Sequence, residues 1–553
     1  MADGRAKLFD LGPAQLGKRR IFAIKISDDD ALQTPDPDAP EAPRLPEPKF
    51  FLLAGIHARE WIAVEVALRL AEELVNNPSA DEEIERLVAN TEIFIIPAAN
   101  PDGLAFSQDH WDQALVYPAH AEVLLDRTRG TLNELTPDRA KLLASRDGRW
   151  RRKNRRDRID DVLFDDAADD KGTQDALLGV DLFVNFGGRA EFGVELPGSS
   201  PCRTNLGYHG SEEFSEAETR AIRKLFEDHI REGDYLGFLD LHSNAQEVRW
   251  TDALPEGAPT EYGVEVDKLA REMLRKLNED PRPYGYKERK LPAPRGSVRR
   301  FVERGFGVPA IVIELPKKDP ANNFIVPAGE VEPIYKSARK AALHQIGWML
   351  GPPIARRVEI KSLGGYRARW INTSATEREL VVEKLAPLVP GTHEIEIRFD
   401  RPMRTIDDRG QHLDPEVSWG TQPPFTQFRA IGKGQWSSTD IPNDTWTGFL
   451  AIHPVKAAPS SPFPGNPCVG VAYVKELDVP QQGSDDATLA VLRIRAQDAW
   501  LNELDGCPRT IPIWDARWTQ YEDDLGTDSF HGGPDTVHRF LILQPQKRPT
   551  KPK

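Results

Sequence analysis

A histidine and a glutamate three residues apart are the first residues along this chain that could do chemistry together. His57 and Glu60 stand in the segment GIHAREW, at the end of the apolar run FFLLAGI. Imidazole and carboxylate are ligands of catalytic zinc sites, which typically use two histidines and one glutamate and leave a fourth position open. Such a pair also arises by chance on many surfaces, so it predicts a metal site only if a third ligand is found elsewhere.

A second histidine and a second glutamate end two other apolar runs. His242 closes FLDLH, and Glu314 stands near the end of AIVIEL. A lone histidine at such a place is more often hydrogen-bonded within a core than bound to a metal. A carboxylate, however, is rarely buried without a partner or a task. Three ligands and one carboxylate are what water activation on zinc requires, because the metal makes the water acidic and the carboxylate accepts its proton.

The elements around these residues alternate as they do in an α/β domain. A strand, a helix and a strand within about fifty residues predict a parallel pair, and the carboxyl ends of parallel strands border the crevice in which such sites are built. Six prolines between residues 35 and 48 predict an exposed loop over residues 34–48. The predicted strands are residues 20–27, 50–56, 91–98, 235–243 and 308–315, and the predicted helices are residues 61–77, 264–279 and 331–349.

Two local signals have a structural interpretation. The segment NPDG, residues 100–103, predicts a turn without a catalytic role. Ser215 followed three residues later by Glu218 predicts a capping box at the start of a helix.

From residue 354 the pattern changes to short strand-like runs separated by proline and glycine turns. This spacing predicts an antiparallel β-sandwich over residues 354–544, and the Lys- and Pro-rich residues 545–553 are predicted to be disordered. Core packing is favoured over a sugar-binding platform for the tryptophans of this part. Seven of the 12 tryptophans lie here: Trp370, Trp419, Trp436, Trp446, Trp500, Trp514 and Trp518.

Several motifs occur in a fixed order between residues 17 and 349. They are GIHAREW, NPDG, RRKNR, GVDL followed by NFG, YHGSEEFSEAETRA, DLHS and VIEL. In this order the chain resembles the zinc metallocarboxypeptidases of the carboxypeptidase A type. The resemblance implies an α/β domain over residues 1–350, with a mixed, mostly parallel sheet flanked by helices, and a peptidase that uses one zinc ion per chain. The zinc ligands and the general base that it implies are His57, Glu60, His242 and Glu314.

The same resemblance implies roles for three further residues. Arg152 would polarise the scissile carbonyl and stabilise the oxyanion, Arg59 would line a substrate subsite, and Asp181 would orient His57. The arginine-rich run over residues 151–156 could equally be a solvated face.

The departures from the family pattern concern the substrate. An Asn-Arg pair grips the C-terminal carboxylate in the family, whereas Phe183 and Val184 stand at these positions here. The family's mobile tyrosine has no counterpart near Pro292. An insertion at about residues 104–148 could reshape the rim of the cleft. Two interpretations remain open for Arg295, Arg299 and Arg300. They are either solvated surface arginines or a relocated anchor for the substrate carboxylate.

A weaker resemblance concerns the C-terminal part. EIEIRFDRPMRT and LRIRAQDAWLNELDG, between Glu394 and Gly506, resemble strands of bacterial Ig-like modules. This implies an all-β Ig-like sandwich, which is a fold and not a function.

Composition limits the function classes. The length of 553 residues predicts two or three domains, and the net charge of −15, from 72 Lys+Arg and 87 Asp+Glu, argues against a bulk affinity for nucleic acid. Neither a membrane span nor a signal peptide is predicted, although the family resemblance favours a secreted or periplasmic protein. The sequence leaves open both a Cys468–Cys507 disulfide and the oligomeric state.

Two functions therefore compete. One is a zinc-dependent peptidase with altered C-terminal anchoring and a preference for acidic substrates. The other is a zinc-binding pseudoenzyme that serves recognition without turnover. Since all four metal and base positions are intact, the enzyme is favoured.

Overall fold

The structure is a computed structural model whose described residues fall into two compact units. The N-terminal unit comprises described residues up to 31 and from 47 to 349, and the C-terminal unit comprises those from 32 to 46 and from 350 onward. The segment that was predicted as an exposed loop thus groups largely with the C-terminal unit. The described residues are 4–28, 32–36, 39–76, 81–109, 150–155, 179–187, 199–201, 206–230, 236–251, 260–279, 284–316, 324–362, 365–374, 378–421, 426–439, 441–455, 487–504 and 538–543.

In the part of the N-terminal unit that the structure describes, eight strands form a mixed sheet. They are β1 (Ala6–Pro13), β2 (Arg20–Ile26), β3 (Lys49–Ala54), β4 (Glu92–Ile96), β5 (Leu236–Ser243), β6 (Glu247–Trp250), β7 (Lys287–Lys290) and β8 (Ala310–Leu315). Their order is β1-β2-β4-β3-β5-β8-β6-β7, and the central strands β4, β3, β5 and β8 are parallel to one another. Strands β1, β2 and β6 each run antiparallel to a neighbour. The predicted α/β fold with a mixed sheet flanked by helices is confirmed.

The central strands are apolar on both faces because helices cover them. Phe51 on β3 stacks on Phe94 of β4, with ring centroids 4.9 Å apart, and lies 4.6 Å from Phe226 on a helix. Successive side chains point to opposite faces of a strand, so Phe50 and Leu52 face the other side. The helices of the described part are α1 (Trp61–Asn76), α2 (Glu82–Val88), α3 (Pro101–Asp109), α4 (Ala217–His229), α5 (Thr260–Asn278), α6 (Val298–Phe306) and α7 (Ala328–Trp348).

Two local predictions need correction. NPDG is not an isolated turn: helix α3 begins at Pro101, and the Asn100 side chain accepts a hydrogen bond from the Gly103 N–H at 3.0 Å. The capping box is also wrong, because the residue that precedes α4 is Glu216, and its side chain makes no capping hydrogen bond. Ser215 donates instead to the Glu216 carboxylate at 2.7 Å. None of the described helices is long and apolar enough to cross a membrane.

The described residues of the C-terminal unit form nine strands, and every neighbouring pair among them is antiparallel. They are β9 (Arg357–Lys361), β10 (Gly365–Asn372), β11 (Arg378–Ala386), β12 (Gly391–Arg398), β13 (Glu416–Gly420), β14 (Phe428–Ser437), β15 (Thr445–Ile452), β16 (Ala487–Arg495) and β17 (Arg539–Leu543). They form one sheet in the order β11-β10-β9-β12-β15-β14-β13-β16-β17. Leu388, just after β11, exchanges backbone hydrogen bonds with Leu541 and Leu543 of β17, so the two ends of this order meet.

The tryptophans of this unit mostly fill its core, as predicted. Trp370, Trp419, Trp446 and Trp500 are at most 3% exposed, whereas Trp436 is half-buried. The antiparallel β character is confirmed, and the Ig-like assignment stays a prediction. Several predictions fall outside the described residues: most of the insertion, the cysteines, Trp514, Trp518 and the C-terminal tail.

Candidate metal centre

The turn between β3 and α1 carries the first two candidate ligands. Strand β3 ends at Ala54, and Gly55 adopts φ +65°, a conformation that side chains rarely take. A Cβ atom at this position would also lie 2.7 Å from the Val64 Cγ2 atom of α1. The sharp turn therefore needs glycine, and it places His57 and Glu60 between the end of the strand and the start of the helix.

The other two residues lie at the ends of neighbouring parallel strands. β3 pairs with β5, and β5 pairs with β8 in a register that sets His242 opposite Glu314. Because the carboxyl ends of parallel strands meet at one edge of the sheet, all four residues come to the same edge. Strand order and the turn at Gly55 together bring the four residues to this edge.

His57, Glu60 and His242 converge on one point. The Nδ1 atom of His57 lies 2.8 Å from Glu60 Oε1, the Nδ1 atom of His242 lies 3.1 Å from Glu60 Oε2, and the two Nδ1 atoms are 3.1 Å apart. Each of the three residues is only 3% exposed. A tetrahedral zinc ion with bonds of about 2.0–2.1 Å sets its ligand atoms roughly 3.3–3.4 Å apart. The observed separations fit such an ion with small adjustments.

The outer nitrogen of each imidazole faces a buried aspartate. His57 Nε2 lies 3.2 Å from Asp181 Oδ1, and His242 Nε2 lies 2.9 Å from Asp240 Oδ2. Ionised carboxylates only accept hydrogen bonds, so each Nε2 carries a proton and each Nδ1 is the nitrogen that can bind a metal. Two imidazole nitrogens and a carboxylate therefore face the centre, and this is the ligand set that a metal cation requires.

The charges of the cluster agree with this requirement for a cation. Burial opposes ionisation, yet the Asp240 and Glu60 carboxylates raise the pKa of His242 well above its ordinary value. The two imidazoles likewise overcome burial and hold the pKa of Glu60 well below its usual range. Either a proton or a metal ion supplies the positive charge, and metal binding displaces the proton.

Asp181 joins His57 to Arg152. Arg152 donates to Asp181 Oδ2 from both Nε and Nη2 at 2.9 Å, and its Nη1 lies 3.3 Å from His57 Nδ1. Although burial acts in the opposite direction, Arg152 and His57 lower the pKa of Asp181 to about 2. Asp181 is therefore ionised and fixes both the imidazole and the guanidinium.

Glu314 has a partner that the sequence analysis missed. The Nη1 atom of Arg249, on β6, donates to Glu314 Oε1 at 2.6 Å. Asp240 was also missed, although it stands two residues before His242 and a strand repeats its facing direction every two residues. No comparable signal marks Arg249, because its pairing depends on which strand lies beside β8.

The other arginines occupy different surroundings. Arg59 is buried, and its guanidinium lies 4.1 Å above the Phe324 ring. Arg299 is also buried, with Nη2 donating to the Leu291 carbonyl and Nε 3.5 Å from Glu303 Oε1. Arg295 is exposed.

Phe183 forms an apolar wall beside the candidate ligands. Its ring centroid lies 5.9 Å from that of His57 and 5.2 Å from that of His242, and the neighbouring Val184 is buried. Neither side chain can donate to a carboxylate. The departure noted in the sequence therefore lies directly against the metal cluster.

Comparisons with known proteins address the same region. A family model described as zinc carboxypeptidase matches residues 5–341. The chain is 26% identical to carboxypeptidase A2 of Rattus norvegicus over 231 residues, which are 42% of this chain and 41% of that relative. It is 25% identical over 253 residues to the inactive metallocarboxypeptidase ecm14 of Talaromyces marneffei, covering 45% of this chain and 31% of that protein. The chain thus spans less than half the length of these relatives.

Solved structures give a further comparison. The crystal structure of carboxypeptidase A from Helicoverpa armigera matches 62% of this chain and 68% of its own, at 18% identity and a TM-score of 0.43.

Proposed function

Because the chain belongs to the zinc carboxypeptidase family over residues 5–341, we propose that it is a zinc-dependent peptidase acting on peptide or protein substrates. The observation that carries the proposal is the convergence of His57, Glu60 and His242, with Glu314 in register beside His242. One zinc ion per chain, held by those three residues, would polarise a carbonyl and make water acidic enough to react near neutral pH.

Glu314 is proposed as the general base and then the general acid. Its carboxylate accepts a proton from the water whose oxygen attacks the scissile carbonyl carbon. It then delivers that proton to the amine nitrogen as the C–N bond breaks, so one water molecule is consumed and two peptide fragments leave. A strand-end carboxylate that is 8% exposed is accessible to a substrate and still shielded from bulk water.

Arg152 is proposed to stabilise the oxyanion. Asp181 occupies its Nε and Nη2 atoms, while Nη1 is directed toward the ligand cluster. A donor held in place before the reaction stabilises developing negative charge without a reorganisation cost. Asp181 would also keep Nδ1 of His57 available as a ligand atom.

The substrate side is proposed to favour acidic residues. Phe183 and Val184 replace the family's carboxylate grip, so any anchor must come from elsewhere. Arg59, Arg295 and Arg299 are candidate substrate-binding residues that would add positive charge, and among them Arg295 is exposed.

The domain organisation and location are proposals as well. Residues 1–350 would form the catalytic domain, and residues 354–544 an Ig-like sandwich that supplies no ligand to the metal. A secreted or periplasmic protein is proposed from the family resemblance.

A second candidate function is a zinc-binding pseudoenzyme. Two observations favour it: Arg249 pairs with the candidate base, and one relative is named an inactive metallocarboxypeptidase.

A peptide screen distinguishes the two functions. Peptides with free and with amidated C-termini are incubated with the full chain, with and without a chelator. The enzyme hypothesis expects cleavage that the chelator abolishes and added zinc restores. Zinc-loaded protein that cleaves none of the peptides would favour the pseudoenzyme.

A further inference from the structure

Arg249 holds the candidate general base in an ion pair. Its Nη1 atom donates to Glu314 Oε1 at 2.6 Å, and its Nε atom donates to Glu247 Oε2 at 2.8 Å. The Arg249 side chain keeps 29% of its surface exposed, whereas that of Glu314 keeps 10%. Arg249 is thus the more solvent-exposed partner of the pair.

Strand order fixes this position next to the chemistry. β6 runs antiparallel to β8 and sets Glu247 opposite Glu314, while β5 on the other side of β8 sets His242 opposite the same glutamate. Arg249 is therefore separated from the ligand cluster by one carboxylate. A substrate that reaches Glu314 also reaches Arg249.

Two other arginines, Arg299 and Arg152, are placed less well to bind a substrate. Arg299 is 2% exposed and committed to the Leu291 carbonyl and the Glu303 carboxylate. Arg152 is committed to Asp181. Arg249 combines solvent exposure with direct contact to the base, and its present acidic partner is a group that must change partners during a reaction.

We propose that Arg249 is the substrate-carboxylate receptor of this site and that the substrate's carboxylate replaces Glu314 in the ion pair. The inference depends on the proposed function. Three bonds separate the scissile carbon from the carboxylate carbon of a C-terminal residue, so the two lie no more than roughly 3.8 Å apart. An acidic side chain of that residue reaches slightly farther. The chain-end carboxylate and an acidic side chain therefore offer the same chemistry, which is a carboxylate within one residue of the cleavage point.

This exchange couples binding to catalysis. A substrate carboxylate that takes over Arg249 releases Glu314 Oε1, so the base becomes available at the moment when the substrate is anchored. A substrate without a carboxylate must break the Arg249–Glu314 pair and leaves the guanidinium without a replacement partner. Charge-assisted hydrogen bonds are strong, so the difference selects carboxylate-bearing substrates.

Four matched peptides and three variants test the proposal in the full, zinc-loaded chain. The peptides are acetyl-Ala-Ala-Glu and acetyl-Ala-Ala-Gln, each as the free acid and as the C-terminal amide, which separates the chain-end carboxylate from the side-chain carboxylate. The variants are Arg249→Gln, Arg249→Lys and the control Arg289→Gln. Arg289 pairs with the same Glu247 from the neighbouring strand β7 and is 52% exposed.

The expected pattern is selective. Arg249→Gln lowers kcat/KM about 10- to 100-fold for peptides whose carboxylate binds Arg249, mainly by raising KM. Arg249→Lys restores part of the lost kcat/KM. The glutamine amide, which has no carboxylate, is cleaved at the native rate or faster because Glu314 is no longer held. Arg289→Gln behaves like the native chain. An equal loss for all four peptides, or no loss for any, overturns the proposal.

A binding measurement keeps this test separate from the proposed function. Calorimetric titration of N-acetyl-L-glutamate into the native chain and into Arg249→Gln, with zinc content checked in both, is expected to give a Kd about 10- to 100-fold weaker for the variant. If no peptide is cleaved, the peptidase proposal fails while this titration still decides the role of Arg249. Equal affinities, or no binding to the native chain, overturn the role.

Discussion

The two units differ in how they satisfy buried polar groups. In the C-terminal unit, the fully buried Asp498 accepts hydrogen bonds at 2.9 Å from the Trp500 N–H, the Asn502 N–H and the Asn502 side-chain amide. In the N-terminal unit, the Nδ1 atoms of His57 and His242 face each other at 3.1 Å. Each bond of Asp498 joins a donor to an acceptor, whereas at the metal cluster two nitrogens that would both bind a cation face each other.

This difference separates structural from functional burial. An unsatisfied buried polar group costs about 1–3 kcal/mol, so folds normally pair every donor with an acceptor, as around Asp498. A cluster of buried acceptors is stable only when a cation sits among them. The way in which polar groups are paired, more than their burial, therefore indicates which unit carries the chemistry.

The largest expected effect comes from removing a ligand. His242→Ala is expected to abolish zinc binding and all hydrolysis, because two remaining ligands do not hold the ion. The zinc content of the purified variant is measured by metal analysis, and about one zinc per chain is expected in the native protein. The control is His538→Ala, which removes a fully buried histidine of the C-terminal unit that bonds to the Tyr366 hydroxyl at 2.9 Å. Full zinc occupancy in His242→Ala would show that the ligand set is wrong.

A smaller effect is expected from the base. Glu314→Gln keeps size and hydrogen-bonding capacity but cannot accept the proton, so kcat should fall by about 10²–10⁴-fold while zinc is retained. Glu416→Gln is the matched control, since Glu416 pairs with Arg493 at 3.0 Å in the C-terminal unit. A near-native rate in Glu314→Gln would move the base elsewhere.

The next largest effect, on zinc affinity, is expected from Asp240, whose carboxylate faces the outer nitrogen of the candidate ligand His242. Asp240→Asn weakens the hold on His242 Nε2 and allows the imidazole to carry its proton on Nδ1, so zinc affinity should fall about 10- to 100-fold. Asp444→Asn is the control: this buried aspartate of the C-terminal unit accepts from the Thr439 and Thr445 hydroxyls, which can rotate to suit an amide. Chelator competition measures both variants. Equal zinc affinity in Asp240→Asn and the native chain would contradict the positioning role.

The sequence allowed the ligand side to be predicted and the substrate side much less. His57, Glu60, His242 and Glu314 each follow an apolar run, and strand ends of a parallel sheet share one edge. The role of Arg249 could not be predicted, because its pairing with Glu314 requires β6 to lie antiparallel to β8. No local sequence pattern indicates that neighbour. The Ser215 cap failed for a similar reason, since this side chain bonds to Glu216 and to Asn185 from another segment.

The partners of segment 32–46 could not be predicted from the sequence either. Its prolines predicted a loop, but not that Asp36 would pair with Arg356 at 3.1 Å or that the Pro43 carbonyl would accept from Asn372 at 2.9 Å. These partners are far away in the sequence. Their pairing assigns the segment to the C-terminal unit, although its neighbours on both sides in the chain belong to the N-terminal one.

The smallest expected effect on the metal comes from removing the C-terminal unit. A chain that ends at Pro352 keeps every candidate ligand and should bind zinc as the full chain does. It loses Arg356 and Asn372, however, so segment 32–46 loses these two partners and should be cleaved by trypsin at Arg44 faster than in the full chain. The Arg356→Gln variant of the full chain should show a weaker form of the same sensitivity. Loss of zinc from a soluble truncated chain would mean that the acceptor cluster depends on the C-terminal unit, and the contrast between the two units would not hold.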